Sequence, residues 1–260
     1  MKKKKINNSG STLVIVIVVI AFVSILTTTL LYLANMNFQM KATDYRTKVS
    51  FYGSEIPLEE IRMQLTIDAS KAAQEAYSDL LLNYGNYATD DGGLRMAQYR
   101  DKYMTEFMKL WDARCVDPAT GSSSWVYALK KTFNNDDGTD LDNRIKARSY
   151  HVVEDNNADD NVYCTTAGCT AHCHIVIDTS PSFTGDRMVK DMVNGWVQLR
   201  GIKAVYTENG YTSVIATDFN VEVPEIDWAV NSYLDDASQS DERTPVDFRT
   251  CVYYTNWVKQ

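Results

Sequence analysis

Histidine and proline are scarce in this chain, and basic residues are few once the first five positions are passed. The 260 residues include 3 histidines and 5 prolines. Histidines at 151, 172 and 174 alone leave few arrangements for a histidine-based hydrolase. A glycine-rich phosphate loop, a Gly-x-Ser-x-Gly elbow and a His-Glu-x-x-His zinc motif are all missing. No spacing selects a pair of carboxylates for acid–base work either, so the chain is not expected to be an enzyme. The net charge is −8, and Lys2 to Lys5 contribute +4 to it, leaving about −12 on everything that follows. Such a surface repels phosphate backbones and argues against nucleic acid as a partner. With so little proline and with 16 tyrosines, the bulk of the chain reads as a folded ectodomain and not as an extended stalk.

Charge is absent altogether between Ser11 and Gln39. Thr12 to Ala34 is long enough to span a hydrocarbon core of about 30 Å at 1.5 Å rise per residue. A secretory signal has a shorter apolar region of about 7–15 residues followed by a small-x-small cut, and Met36 to Met40 offers no such cut. The four lysines hold the N-terminus in the cytoplasm, which places the C-terminal bulk outside, in the extracellular or periplasmic space. Beyond the span, Phe38, Ala42, Tyr45, Val49 and Tyr52 recur at steps of three and four, so the helix continues with an apolar stripe. Gly53 and Pro57 are expected to end it, because proline removes a donor and restricts the residue before it. A single-pass anchor with a helical stem accounts for these features.

The residues at the mouth of the span carry more. A basic leader, then Gly10, then Ser11-Thr12-Leu13 and an unbroken apolar helix resembles the class III signal of the type IV pilin superfamily. The stretch Phe51-Tyr52-Gly53-Ser54-Glu55-Ile56-Pro57-Leu58-Glu59 is similar to the Tyr-x-Ala-Glu-x-x-Leu step of minor pilins of the PilX and pseudopilin K type. The resemblance implies cleavage by a prepilin peptidase between Gly10 and Ser11, with Ser11 as a methylated N-terminus. It further implies that the apolar helix is kept and packs against other pilin subunits in a filament. Two positions depart from the major-pilin pattern: the first mature residue is Ser11 and not Phe, and the fifth is Ile15 and not Glu. A lone carboxylate in a bilayer costs about 2.5–3.5 kcal/mol on insertion scales, so that Glu is worthwhile only where it finds a neighbour's amine. Its loss suits a subunit at the filament tip or one that primes assembly. The stretch Leu13 to Leu33 is β-branched and leucine-rich and offers no polar glue, so lateral packing rests on shape.

Along the rest of the chain, Leu58 to Tyr84 reads as a second helix with Ile61, Leu65, Ala69, Ala72, Ala76 and Leu80 on one stripe. Leu94 to Arg114 reads as a third, with Leu94, Ala97, Met104, Phe107, Met108 and Trp111 inward. Ser124 to Phe133 is a fourth, capped by Gly121-Ser122-Ser123. From Arg148 the period shifts toward two. Strands are expected at Val152-Val153, His174 to Asp178, Trp196 to Thr207, Tyr211 to Val223 and Cys251 to Trp257. Asn209-Gly210 is the preferred two-residue hairpin turn, since both positions need positive φ. Gly201 marks a bulge, where the apolar phase shifts. Ile215, Phe219, Val221 and Val223 share the buried face of the return strand, and Pro224 ends it.

The fold expected is therefore α+β: a transmembrane and spine helix, a helical block, then an antiparallel sheet head. Residues 1–10 form the leader, 11–53 the spine, 54–135 the helical region, and 136–260 the acidic loops and sheet. Five cysteines, at 115, 164, 169, 173 and 251, allow up to two disulfides outside the membrane, with Cys169–Cys173 and Cys164–Cys173 as local options. Cys164, Cys169, Cys173, His172 and His174 also make a cluster that could hold zinc, although its spacing matches no standard zinc pattern. Asn135, Asp137, Asp140 and Asp142 resemble a calcium loop, but placing Gly138 sixth puts Phe133 in the first ligand position. A solvated acidic loop is the other reading there, as it is for Glu154 to Asp160. No cofactor is expected beyond these two metal options. The function expected is a minor pilin-like subunit of a type IV pilus or type II secretion pseudopilus, with an adhesive or partner-binding head. The competing reading is a single-pass surface protein with a ligand- or cation-binding ectodomain and no filament.

Overall fold

The computed structural model describes residues 9–87, 93–117, 120–133, 150–155, 173–178, 186–224 and 248–259. The fold is α+β. Helix α1 (Ser9–Leu82) is followed by a 3-10 turn at Tyr84–Tyr87, helices α2 (Gly93–Cys115) and α3 (Trp125–Phe133), and strands β1 (Tyr150–Asp155), β2 (Cys173–Asp178), β3 (Met188–Asp191), β4 (Trp196–Glu208), β5 (Tyr211–Glu222) and β6 (Val252–Lys259). Contacts divide the chain into two units, Met1–Val49 and Ser50–Gln260.

The expected break at Gly53 and Pro57 does not occur, and α1 is one helix of 74 residues with Pro57 inside it. Proline at 57 leaves the carbonyl of Gly53 without its helical donor. The Cys173 thiol on β2 takes that place, its Sγ standing 3.8 Å from the Gly53 oxygen. At Gly53 the sheet also comes close to α1: a Cβ there would lie 2.5 Å from the Tyr206 ring. Small side chains line the same seam. The Ser54 hydroxyl donates to the Phe51 carbonyl at 2.8 Å and lies 3.2 Å from that of Ser213. Tertiary packing thus supplies what proline removes, and the helix runs on.

The head core forms where the inner face of the sheet meets α1 and α2. Ile61, Leu65, Ala69, Ala72, Ala76 and Leu80 are all buried, as their spacing predicts. On α2 the buried line is Tyr99, Tyr103, Met104, Phe107, Trp111 and Cys115, while Ala97, expected inward, is exposed. The Tyr103 and Phe107 rings stack at 6.4 Å, and Trp111 meets Trp125 of α3 edge-on at 5.5 Å. Ser124 caps α3, its hydroxyl accepting from the Val126 amide at 3.2 Å, in place of the Gly121-Ser122-Ser123 start.

The sheet has the order β1-β2-β4-β5-β6, with β3 also pairing β4. It is antiparallel except at one edge, where β1 pairs β2 in parallel. Asn209 and Gly210 turn the β4–β5 hairpin with φ of 51° and 80°. The bulge expected at Gly201 is present: the register shifts between Leu199 and Ile202, and Gly201 has φ 75°. The Asp218 carboxylate accepts from the Gly201 amide at 2.9 Å and from Asn256 Nδ2 at 2.7 Å, tying β5 to both neighbours. Short β3 went unread in the sequence.

Candidate functional site

In the first unit the apolar span is exposed along its whole length. It is a helix long and apolar enough to cross a membrane, with mean hydropathy 2.9 in its most apolar window and none of that window buried. Gly10 and Ser11 lie in its first turns. Ile15 is 60% exposed. The stretch contains the hydroxyls of Ser24, Thr27, Thr28 and Thr29. Each hydroxyl donates to the carbonyl four residues back, those of Ile20, Val23, Ser24 and Ile25, at 2.8 Å. The protons are engaged within the helix, so they add no donors to a neighbouring helix.

Beyond the span the helix carries the stripe read from the sequence. Of its residues Phe38, Tyr45 and Tyr52 are 72%, 69% and 57% exposed, while Ala42 and Val49 are half-buried. Lys48 pairs with Asp44 at 2.8 Å, both well solvated.

Of the candidate metal and disulfide residues, Cys115, Cys173 and Cys251 are buried thiols. Cys173 faces the core and donates to α1, so in this structure it enters neither local bridge. Burial pushes its thiol up to about 12, which makes it a poor nucleophile and a poor ligand. His174 is half-buried, and the parallel register places His151 beside it. Cys164, Cys169 and His172 lie outside the described residues, as do Asn135, Asp137, Asp140 and Asp142. Among the described residues, no three His, Cys, Asp or Glu side chains are grouped to hold a metal ion.

Two polar clusters in the head escaped sequence reading. Asp68 on α1 and Arg114 on α2 form a buried pair at 2.5 Å, with side chains 3% and 18% exposed. Burial raises the Asp68 carboxyl above its ordinary value, although Arg114 and Gln64 pull it down, and burial likewise lowers Arg114. The second Asp68 oxygen and the Trp111 indole nitrogen are buried without hydrogen-bond partners. At the β6 edge, the Tyr254 hydroxyl donates to Glu59 at 2.7 Å, and Glu59 also accepts from Arg62 at 2.8 Å. The Arg62 guanidinium sits 5.8 Å over the Tyr254 ring. Nothing in the sequence around Asp68 signals its burial, and the β6 clamp joins residues 195 positions apart. Both clusters fasten elements of the head together.

Comparison of the chain with protein-family models, with curated proteins and with solved structures gives no match.

Proposed function

We propose that this chain is a minor pilin-like structural subunit of a type IV pilus or type II secretion filament. The observation that carries the reading is the wholly exposed apolar helix behind a Lys-rich leader and Gly10, continuous with the helix at the centre of an α+β head. An apolar surface of that extent must be covered by lipid or by other helices. A prepilin peptidase cuts between Gly10 and Ser11 on the cytoplasmic side, and the retained helix moves from bilayer to filament. With Ile15 in the fifth mature position, nothing in the helix pairs with the amine of a subunit above, which fits a tip or priming role. The head serves contact with partners or surfaces, and no chemistry is assigned to it.

Mass spectrometry of the protein purified from membranes tests this directly. A mature chain beginning at Ser11, and its loss in a Gly10→Phe variant, is the expected result. A chain that keeps Met1 and the lysines in membranes containing an active prepilin peptidase refutes it. That outcome leaves a single-pass anchored surface protein.

A further inference from the structure

We infer that Asn209 is a site of spontaneous covalent modification, where loss of ammonia and uptake of water turn the residue into isoaspartate and loosen the hairpin's hold on α1. An Asn-Gly step is open to this chemistry because glycine has no side chain to hinder ring closure. The Gly210 backbone nitrogen attacks Cγ of Asn209. The Cγ–Nδ2 bond breaks, and Nδ2 leaves as ammonia with the amide proton of Gly210. Water then opens the succinimide ring, at the backbone carbonyl to give isoaspartate or at Cγ to give aspartate. Nothing is oxidised or reduced.

The chain holds two such steps, Asn194-Gly195 and Asn209-Gly210, and both asparagines are exposed. They differ in how they are held. In the first, the attacking group is engaged, since the Gly195 amide donates to the Asp191 carbonyl at 2.8 Å. The leaving amide is engaged too, with Asn194 Nδ2 donating to the Asp191 carboxylate at 2.7 Å. Gly195 is buried under Arg100, whose side chain would stand 2.7 Å from a Cβ there. In the second, the closing bond of a two-residue turn runs between Glu208 and Tyr211, so the ladder makes no use of the Gly210 amide. Gly210 is exposed, and a Cβ there would meet nothing within 4 Å. Among the described strands, none flanks the hairpin beyond Tyr206 and Ile215. The step therefore sits at the free end of a two-stranded ribbon, where local opening costs least.

The product does not fit the turn. Isoaspartate carries the main chain through an extra carbon, and the successive φ values of 51° and 80° that match the turn to its strands no longer apply. Directly after the turn, the Tyr211 carbonyl accepts from the Ser50 hydroxyl at 3.4 Å, and the Ser213 hydroxyl lies 3.2 Å from that of Ser54. These contacts fasten the hairpin to α1, and a turn of new length displaces both.

The test ages the full chain in detergent at pH 8, below its melting point. Peptide mapping with fragmentation that separates isoaspartate from aspartate follows both steps. In the folded chain residue 209 should convert at least about tenfold faster than residue 194, with isoaspartate in excess, whereas in denaturant the two should convert at similar rates. Amide hydrogen exchange over residues 206–213 should rise with the isoaspartate content. It should stay level in an aged Asn209→Gly chain, which keeps a positive-φ pair and lacks the side-chain amide. Equal conversion of both steps in the folded chain, or conversion of residue 209 in denaturant alone, overturns the inference. So does isoaspartate at 209 that leaves exchange over the hairpin unchanged.

Discussion

Replacing Arg114 by Met should expose how the α1–α2 contact is held. The Asp68 side chain is 3% exposed and, among the described residues, has Arg114 at 2.5 Å as its one ion-pair partner. Removing one member of a buried pair typically costs about 3–5 kcal/mol, because the other charge stays behind in low dielectric. That is a large share of the roughly 5–15 kcal/mol of a typical domain. Asp68→Leu should fall at the lower end of the range, since the remaining guanidinium keeps 18% of its surface in water. The double variant Asp68→Leu, Arg114→Met should recover most of the loss. Burial dominates the shift of both partners, raising Asp68 and lowering Arg114, so their attraction falls short of their desolvation.

The same pair sets a pH signature. The Asp68 carboxyl is raised in the folded state, so folding favours its protonated form. That contribution is complete below the unfolded value of about 4 and is lost as pH rises through the folded value. Without Arg114 the folded value rises further, so Arg114→Met should lose least near pH 4 and most near pH 7. The assay is denaturant unfolding of the full chain in detergent, followed by the fluorescence of Trp111 and Trp125, from pH 4 to 8. Single variants whose losses simply add in the double variant, within about 0.5 kcal/mol, refute the coupling.

Pro57→Ala should raise stability by up to about 3 kcal/mol, because it restores the amide that Gly53 lacks and removes an interior proline. Part of the penalty of Cys173→Ala should vanish in that background, which a double-mutant cycle reads. Gly53→Ala should lower stability by about 1–3 kcal/mol through collision with the Tyr206 ring, and Tyr206→Leu should offset it in thermal melts. Cys173 should resist maleimide in the folded chain at pH 8, with burial holding its thiol up at about 12, and react once the chain is unfolded. Reaction with Cys173 at the rate of a free thiol would place it at the surface.

The helical stripe of residues 61–80 and the Asn209-Gly210 turn were legible because each is a local rule read over a few residues. Gly201 was legible for the same reason, since a bulge resets the alternation around it. Pro57 misled because its penalty is local while the relief is not: the compensating thiol comes from a strand 116 residues later. Ala97 lies off the face of α2 marked by the four-residue steps Tyr99, Tyr103, Phe107 and Trp111, and is exposed for that reason. The parallel pairing of β1 with β2 could not be read, because nothing in either strand specifies the direction of its neighbour. The exposed span was legible as an uncharged run, whereas the burial of Cys173 under α1 depends on the assembled head.

Of the described strands, β6 comes last in chain order, yet it meets both β5 and the early turns of the head's helix. Asn256 reaches Asp218, and Tyr254 reaches Glu59. Without β6, among the described residues Asp218 keeps only the Gly201 amide and Glu59 only Arg62, and a flank of β5 is bare. A chain folding in order from its N-terminus therefore leaves that flank of β5 without its partner until β6 is in place.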